Sequence, residues 1–479
     1  MSVASPTPQQ VGATAQLVDF IGRRDRRAEP ATRAALRGLT VDTVGVAVAG
    51  LSTPAAVLVR DWVEDQTPSG TGAPSGTGAP SDAVAPAGTA AVWGSTSRLG
   101  PAAAALVNGT AAHALDWDDA APSMAMHPAA VLLPTLFALA ARRPVTGAEL
   151  DAAYSVGSAV FRAVSEVLPH AVHYGRGWHN TSTTGRLAAT AAGCRLLDLD
   201  GNVTAHALGI AASQASGSLA NFGTMTKPMH AGLASRDAVM AVGLARRGFT
   251  ANPAQLEARG GFLDLFGDHD PRRTAVLGER LEHWVTDWVD DYAIKAYPSC
   301  FATQRAIDAG LSLREELGAD AGRVSRIEVT LEHGGTRPLR DTGPGNGLEA
   351  KFSLEYTLAV ALLTGNVLLG DFTDEALKRP GVAELMARIE LAERPPAEEP
   401  GHTVVRLHTG DGRLLVRDVH HSRGDSHRPL SPAELAAKFH QCVGRGPAKA
   451  SWFDALHAVP DADEPQDLQR LLAGPPAQG

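Results

Sequence analysis

Two periodicities of apolar residues divide the chain. Up to about residue 285, alanine- and leucine-rich segments carry helix-capping signals: Thr53 precedes Pro54, and Thr146 stands three positions before Glu149. Threonine caps a helix by accepting a hydrogen bond from a backbone N–H of the first turn, and proline is favoured at the first helical position. These segments predict that residues 1–285 form a large all-helical domain.

A second pattern begins near residue 286. The stretch RIEVTLEH at residues 326–333 alternates apolar and polar residues, as a half-buried strand does. Residues 404–419 predict a hairpin whose turn is Asp411-Gly412, and the apolar run at residues 354–363 predicts a helix. This mixture predicts a smaller α+β lid domain over residues 286–424.

The end of the chain returns to helical patterning. Ser431 stands at an N-cap position, Pro432 follows it, and Glu434 completes a capping box. Residues 425–479 are therefore expected to complete the first domain. The predicted fold class is multidomain, with a large all-α helical domain and a smaller α+β lid domain.

One segment inside the helical region differs in composition. Residues 67–90 repeat SGTGAP twice and consist mainly of Gly, Pro, Ser and other small residues. Such a sequence buries too little apolar surface to offset the entropy of an ordered chain. We predict a disordered surface insertion that carries no chemistry.

Composition narrows the class of function. The 479 residues are 44% hydrophobic and 20% charged, which suits a globular chain of two or three domains. The formal net charge is -9 and no basic stripe is present, so we expect no nucleic-acid partner. Cys194, Cys300 and Cys442 are far apart and form no C-x-x-C pair, which argues against a disulfide framework and favours a reducing compartment.

Targeting signals also favour the cytoplasm. The first residues, MSVASPTPQQVGATAQ, contain no basic region followed by an apolar one, unlike a secretory signal. The apolar run at residues 130–141 contains a proline and is too short to cross a bilayer. We therefore expect a cytoplasmic protein without a membrane partner.

The segment NGTAAHALDWDDA at residues 108–120 gathers candidate chemistry, because His113 is followed by Asp116, Asp118 and Asp119. On a continuous helix His113, Asp116 and Asp119 share a face, and Asp118 points elsewhere. Acids at a helix C-terminus oppose the helix dipole, which favours a functional role over a solvated helix end. A metal site is a further alternative, but the sequence has no H-E-x-x-H motif or group of cysteines, so we expect no metal or other cofactor.

A second candidate region is HYGRGWHNTSTTGR at residues 173–186. It places His179 among glycines and hydroxyl side chains. Thr181 and Thr183 can donate hydrogen bonds to a carboxylate, and glycines let the backbone approach a ligand closely. Turn chemistry alone accounts equally well for the glycines, but less readily for the histidine and threonines.

Two lysines complete the set of candidates. Lys227 stands just before a helical run, where the helix N-terminus favours anions. Lys295 stands in the apolar and aromatic segment IKAYPSCFATQ, where burial would lower the pKa of its ammonium. For each lysine taken alone, simple surface solvation is the alternative.

Nine blocks in order resemble the MmgE/PrpD family, which includes 2-methylcitrate dehydratase and cis-aconitate decarboxylase. The blocks are DTVGVAVAG (42–50), NGTAAHALDWDDA (108–120), HPAAVLLPTL (127–136), GWHNTSTTGR (177–186), TKPMHAG (226–232), GF (261–262), KAYPSC (295–300), AKFSLEYTLAVALLTG (350–365) and LSPAELAAKF (430–439). The resemblance covers most of the chain. It implies a metal-independent lyase without a cofactor, usually a homodimer, whose helical domain is completed by the C-terminus.

Five catalytic residues follow from the resemblance. The first aspartate of the family's D-F-D-D element is Asp116, the histidine of its H-P pair is His127, and the histidine of its G-F-H-x-T loop is His179. The T-K-P lysine is Lys227, and the K-x-x-P lysine is Lys295. We expect the two histidines to be general acid and base in an unassigned order, the lysines to anchor substrate carboxylates, and Asp116 to orient His127 or another imidazole.

The predicted substrate-binding residues are Thr181, Thr183, Cys300 and Lys351. The first hypothesis is dehydration of a hydroxylated di- or tricarboxylate resembling 2-methylcitrate. Decarboxylation or isomerisation of a cis-aconitate-like acid uses the same pocket and is the second hypothesis. The third, a helical binding protein without catalysis, is disfavoured because all five catalytic residues are retained.

Three positions depart from the family pattern. Ala120 stands where a threonine is common, with one extra residue before His127, and Cys300 replaces a histidine. The tyrosine that the decarboxylase branch carries before the A-K-F-S block has no counterpart around Arg337. These changes spare the proton-transfer residues but remove pocket donors, which leaves the substrate open. With no neighbouring basic residue, Cys300 is expected to be an inert filler rather than a reactive thiol.

Overall fold

The computed structural model describes residues 11–25, 29–66, 88–318, 324–396 and 401–475. The insertion predicted at residues 67–90 lies almost entirely outside the described residues. None of the described helices is by itself long and apolar enough to cross a membrane, although the bent pair Pro30–Gly50 and Pro54–Asp65 passes that test on length and composition.

Helices dominate the described chain. The α-helices are α1 (Ala13–Gly22), α2 (Pro30–Gly50), α3 (Pro54–Asp65), α4 (Pro101–Ala114), α5 (Ala129–Leu139), α6 (Gly147–Val167), α7 (His170–His173), α8 (Asn180–Leu196), α9 (Gly201–Ser213), α10 (Thr226–Ala245), α11 (Phe262–Phe266), α12 (Pro271–Ala275), α13 (Leu277–Asp287), α14 (Phe301–Leu317), α15 (Gly347–Ala350), α16 (Leu354–Thr364), α17 (Val382–Met386), α18 (Pro432–Val443), α19 (Pro447–His457) and α20 (Leu468–Leu472). The strands are β1 (Ala90–Ala91), β2 (Arg98–Leu99), β3 (Asp119–Ala120), β4 (Ala293–Ile294), β5 (Val324–Leu331), β6 (Ile389–Glu393), β7 (Thr403–Thr409) and β8 (Leu414–Val419).

The predicted fold class is confirmed: a large helical domain is accompanied by a smaller α+β domain. One buried apolar cluster joins Phe20 of α1 and Phe137 of α5 to Phe439 of α18 and Leu472 of α20. The last helices therefore pack into the core built by the first ones. The limits 1–285, 286–424 and 425–479 remain a prediction.

The smaller domain is built on a four-stranded sheet of order β6-β5-β7-β8. β5 pairs in parallel with β6 and antiparallel with β7, and β8 closes the hairpin on β7. The predicted strand and hairpin are confirmed, with Gly412 at φ 88° in the turn, which a residue without a Cβ adopts freely. Leu313 of α14 and Leu358 of α16 share a buried cluster with Ile327 of β5.

The capping signals act as predicted. The Thr53 hydroxyl accepts a hydrogen bond from the Ala56 N–H at the start of α3. Thr146 and Glu149 form a reciprocal capping box on α6, and Ser431 forms the same motif on α18. Each cap satisfies backbone donors that the first helical turn leaves unpaired, so local sequence fixes where these helices begin.

Two glycines allow α4 and α10 to pack closely in opposite directions. A Cβ added at Gly232 of α10 would lie 2.3 Å from the Leu106 carbonyl oxygen of α4, and one added at Gly109 of α4 would lie 2.9 Å from the Gly232 Cα. This contact brings the end of α4, which carries His113, beside the start of α10, which carries Lys227.

Candidate active site

The acidic segment after α4 does not continue the helix. α4 ends at Ala114, and Asp116 has φ 52°, in the left-handed region that few residues other than glycine adopt. The expectation that Asp118 points away is therefore wrong. Its carboxylate accepts a hydrogen bond from His113 Nδ1 at 2.7 Å and lies 3.3 Å from His127 Nδ1. The helical spacing used for the prediction ceased to apply at the turn.

Asp116 pairs with both predicted lysines. One carboxylate oxygen lies 2.5 Å from Lys295 Nζ and the other 3.0 Å from Lys227 Nζ. Burial alone would raise the pKa of Asp116, but Lys227 and Lys295 hold it well below its usual range. Burial would likewise lower the pKa of Lys295, yet Asp116 and Asp118 raise it above its usual value. Asp116 and Lys295 are therefore ionised together, and the Asp116 oxygens bond the two lysines instead of an imidazole.

The His113 imidazole is buried, with a side chain that is 0% exposed. Its Nδ1 donates to Asp118, so its Nε2 is the unprotonated nitrogen of the neutral ring, and that nitrogen has no hydrogen-bond partner among the residues that the structure describes. Burial lowers the pKa of His113 to about 3, against the opposing effect of Asp118. Near neutral pH the ring is a base whose proton-accepting nitrogen is fixed.

His127 is held by backbone atoms as well as by Asp118. Its Nδ1 donates to the Asp119 carbonyl oxygen at 2.7 Å, and burial lowers its pKa. The Asp119 carboxyl accepts from the Ala129 N–H at 3.0 Å, at the beginning of α5. Burial and the neighbouring Asp118 raise the pKa of Asp119 to about 8.

His179 stands at the N-cap of α8 and contacts a second histidine. Its Nδ1 lies 3.1 Å from Nδ1 of His230, and burial, followed by His230, lowers the pKa of His179 well below its usual value. The ring centroids of His113 and His179 are 6.1 Å apart, and those of His113 and His127 are 4.5 Å apart. The structure thus brings His127 and His179 together around His113.

The predicted threonines are engaged inside the protein. The Thr181 hydroxyl oxygen accepts from the His127 N–H at 3.2 Å. His173 donates from Nδ1 to the Phe266 carbonyl, so its Nε2 accepts from the Thr183 hydroxyl at 2.7 Å. Thr181 therefore holds the backbone of His127, and Thr183 holds the ring of His173.

The other two predicted substrate-binding residues come from the α+β domain. Burial raises the pKa of the Cys300 thiol to about 11, so the thiol is neutral near pH 7. Lys351 donates from Nζ to the carbonyl oxygens of Leu115 at 2.8 Å and Pro298 at 2.9 Å. Burial lowers the pKa of Lys351 to about 7.

A further lysine ties the last helices to the site. Lys438 of α18 donates from Nζ to the Trp117 carbonyl at 2.7 Å and to the Lys295 carbonyl at 2.9 Å, and it pairs with Asp42 at 2.6 Å. These bonds clamp the acidic turn against the segment that carries Lys295.

A pocket, with about 400 Å³ of empty space that includes open solvent, lies between the helical domain and residues 348–352. His113, Asp116, Lys227 and Lys351 line it together with apolar side chains from Pro54, Met225, Leu348 and Phe352. This mixture of charged and apolar side chains is typical of a site for a small polar ligand. Lys295 lies behind Asp116, with a side chain that is 0% exposed.

Comparisons with known proteins identify the family of this chain. Residues 15–274 match the MmgE/PrpD N-terminal domain, and residues 297–454 match the MmgE/PrpD C-terminal domain. The chain belongs to the MmgE/PrpD family. The resemblance inferred from the sequence blocks is confirmed.

Relatives of this MmgE/PrpD chain include decarboxylases and dehydratases. Cis-aconitate decarboxylase of Mus musculus is 29% identical over 405 residues, which cover 81% of this chain and 82% of the relative. A cis-aconitate decarboxylase-like protein of Aspergillus oryzae is 27% identical over 509 residues, covering 99% of each chain. 2-Methylcitrate dehydratase of Cupriavidus necator is 25% identical over 209 residues, which cover 41% of this chain and 42% of the relative. These relatives support an enzymatic role.

Sequence reasoning passed over two residues of this MmgE/PrpD site. His113 and Asp118 belong to the same NGTAAHALDWDDA block as Asp116, yet neither was among the predicted catalytic residues. Their spacing carried a signal, since a carboxylate five residues after a helical histidine can return to it only if the helix ends between them. That ending became visible only with the turn at Asp116.

The donor set of this MmgE/PrpD site bears on metal binding. One ligand atom each from His113, Asp116, Asp118 and His127 lies within 4.8 Å of the others. Lys227 and Lys295, however, bind the two Asp116 oxygens, and Lys295 Nζ is 3.8 Å from Asp118. A divalent ion in this group would stand beside two ammonium groups and have to displace them, so the donors fit a metal poorly.

Proposed function

We propose that the chain is a lyase acting on a small polycarboxylate, which it binds in the pocket between its helical and α+β domains. The observation that carries the proposal is His113. It lines a pocket shared with Lys227 and Lys351, and its Nε2 lacks a partner among the described residues while Asp118 holds its Nδ1. A fixed neutral base beside cationic side chains suits proton removal next to a carboxylate.

The proton chemistry requires a base and an acid. In dehydration, His113 takes a proton from the carbon next to a substrate carboxylate, and the Asp118 carboxylate stabilises the imidazolium that forms. His127 and His179, predicted as base and acid from the family resemblance, have ring centroids 4.5 and 6.1 Å from that of His113. In dehydration they are the side chains available to protonate the leaving hydroxyl. In decarboxylation the carbon–carboxylate bond breaks, carbon dioxide leaves its electron pair on carbon, and one of these imidazoles delivers the single proton that the carbanion takes up.

Substrate charge is met by two cations of different kinds. Lys227 lines the pocket and is paired with Asp116. Lys351 also lines it, and its Nζ donates to two backbone carbonyl oxygens. We assign Lys351 and Lys227 to substrate carboxylates. Lys295, which was predicted to share that role, keeps Asp116 ionised from behind the pocket.

Loss of carbon dioxide is the reaction that similarity favours. The decarboxylase of Mus musculus aligns with 81% of this chain, whereas the dehydratase of Cupriavidus necator aligns with 41%. Loss of water, the first hypothesis from sequence, is supported by the presence of separate imidazoles for base and acid. Both reactions are carried out without a metal or cofactor in this proposal, because the lysines occupy the donor oxygens of Asp116.

A substrate panel tests the proposal. The purified chain is incubated with cis-aconitate, 2-methylcitrate and citrate, and products are identified by mass spectrometry. A product lighter by carbon dioxide establishes decarboxylation, and one lighter by water establishes dehydration. If no polycarboxylate of the panel or its homologues is turned over or raises the melting temperature, the lyase proposal fails and the non-catalytic binding hypothesis takes its place.

A further inference from the structure

A second group of potential metal ligands lies on the loop that follows β8, in the chain between the sheet and α18. His421, Asp425 and His427 each offer one donor atom within 4.8 Å of the others. The imidazole rings of His421 and His427 stack with centroids 4.3 Å apart. His421 Nδ1 lies 3.4 Å from a carboxylate oxygen of Asp425.

The loop backbone holds the carboxylate in place. One oxygen of Asp425 accepts from the N–H groups of His427 at 3.0 Å and Arg428 at 2.9 Å, which leaves the other oxygen facing His421. Gly424 closes the loop with a bond from its N–H to the Arg428 carbonyl at 2.8 Å. Its φ is 95°, and a Cβ there would lie 2.0 Å from the Ile294 carbonyl oxygen, so the turn requires glycine.

Nearby positive charge is directed away from these three side chains. Arg423 donates from Nε to Glu434 at 2.8 Å, and Arg428 pairs with Asp308 at 3.0 Å. Both acids lie outside the loop. The two arginines are thus already neutralised and do not compete for the Asp425 oxygen that faces His421.

We propose that His421, Asp425 and His427 bind one divalent transition-metal ion of the zinc class. Two imidazoles and one carboxylate form a common ligand set for such ions, with water at the remaining position. The two histidines are exposed and Asp425 is buried. The rings can therefore rotate towards a fixed carboxylate until the donor distances reach about 2 Å. This inference is independent of the proposed lyase activity.

A neighbouring group of possible metal ligands differs from this loop in one respect. His402, Asp418 and His420 also converge, because β7 and β8 place His402 opposite His420. Arg394, however, donates to His402 Nδ1 at 2.7 Å. An arginine has no acceptor, so the proton of the neutral His402 ring is on Nε2, the atom that faces Asp418 at 3.6 Å. That nitrogen is not free to bind an ion.

The proposed metal site adjoins the segment that leads to Lys295. The Ile294 N–H donates to the Gly424 carbonyl at 2.8 Å, and Ala293 pairs with Asp425 in a β-bridge. An ion held by the loop fixes this backbone from outside. Because it binds the folded chain alone, it raises the melting temperature.

Cobalt titration tests the proposal on the full chain without a polyhistidine tag, after chelator treatment and removal of the chelator. We expect one equivalent of Co²⁺, displaced by Zn²⁺, with a visible absorption band. Loss of an outer-shell partner already costs about 10–100-fold in metal affinity, so H421A and H427A should each weaken binding at least about tenfold. H402A and H420A are the matched controls and should bind as the native chain does.

Folding is checked by far-ultraviolet circular dichroism of each metal-free variant, and both substituted histidines are exposed. A native cobalt affinity in H421A and H427A overturns the proposal. It is equally overturned if the bound equivalent disappears in H402A or H420A, or in H127Q, since the ion would then lie in another group. Absence of binding by the native chain at millimolar Co²⁺ also rejects it.

Discussion

The Asp118 carboxylate accepts a hydrogen bond from His113 Nδ1 at 2.7 Å, and both side chains are 0% exposed. This bond selects one tautomer of the imidazole and turns its second nitrogen into the proton acceptor. The pair resembles the orienting carboxylate and imidazole of hydrolase triads in its logic, although here the proton comes from carbon in the proposed reaction.

His113→Gln is expected to lower kcat by about 10²–10⁴-fold, because glutamine cannot accept the substrate proton. Steady-state kinetics on the substrate found in the panel measure the effect. His283→Gln is the matched control, since His283 is on α13 with a side chain that is 42% exposed. Native turnover in His113→Gln would remove His113 from the mechanism.

The free energy of unfolding is expected to fall as the pH is lowered below about 6.5, the ordinary pKa of histidine. Folded His113 takes up a proton only near its lowered pKa of about 3, whereas the unfolded chain binds it earlier. The unfolded state therefore gains protons over the window from about 6.5 to 3, and acid favours unfolding. Urea titrations at several pH values should show a shallower dependence in His113→Gln. An equal slope in both proteins would contradict the buried neutral imidazole.

The lowered pKa of Lys351 predicts how substrate binding changes above neutral pH. Its pKa is lowered to about 7, so raising the pH through that value removes the positive charge that we assign to a substrate carboxylate. KM is expected to rise above about pH 7 while kcat changes less. Lys351→Met should show a high KM without this pH dependence, and Lys378→Met, an exposed change in the same domain, should behave as the native chain. A KM that is flat with pH in the native chain would reject Lys351 as an anchor.

Close packing of α4 on α10 is tested by Gly232→Ala. The new Cβ would meet the Leu106 carbonyl at 2.3 Å, and overpacking of this kind costs about 1–3 kcal/mol of folding free energy. Gly243→Ala on the same helix has its nearest neighbour, an Arg247 side-chain nitrogen, at 3.6 Å. It should instead gain about 0.5–1 kcal/mol from better helix propensity. Denaturant unfolding compares the two, and equal stabilities would show that the helices can separate freely.

Chelation should separate catalysis from metal binding. Treatment with EDTA is expected to leave turnover unchanged, because Lys227 and Lys295 occupy the Asp116 oxygens. Turnover and metal content are measured before and after treatment and after Zn²⁺ is returned. Activity that disappears with the chelator and returns with the ion would contradict the metal-independent mechanism.

Much of the architecture was predictable from sequence because periodicity and capping are local properties. The capping boxes at Thr146 and Ser431 and the alternation in β5 specified their elements directly. The site was predictable in membership, since Asp116, Lys227 and Lys295 do meet. The hydrogen-bond partners within the site were not predictable, because the backbone turn at Asp116 determines which carboxylate reaches which imidazole.

The turn and the tertiary packing explain separate differences between the expected and the observed contacts. Helical spacing cannot anticipate a residue at φ 52°, so it did not predict that the carboxylate bonded to His113 is that of Asp118. Thr183 was predicted to bind substrate because it has a hydroxyl group in a glycine-rich loop. In the structure its hydroxyl bonds His173, whose ring is oriented by a hydrogen bond to the Phe266 carbonyl. Such long-range contacts leave no trace in residue spacing.

Lys438 reaches back across 321 positions to the Trp117 carbonyl and also holds the carbonyl of Lys295. During synthesis, the acidic turn, the three histidines His113, His127 and His179 and the two lysines that pair with Asp116 leave the ribosome well before Lys438. The acidic turn and the Lys295 segment therefore acquire these bonds only after α18 has docked, which makes the completed site a late product of folding.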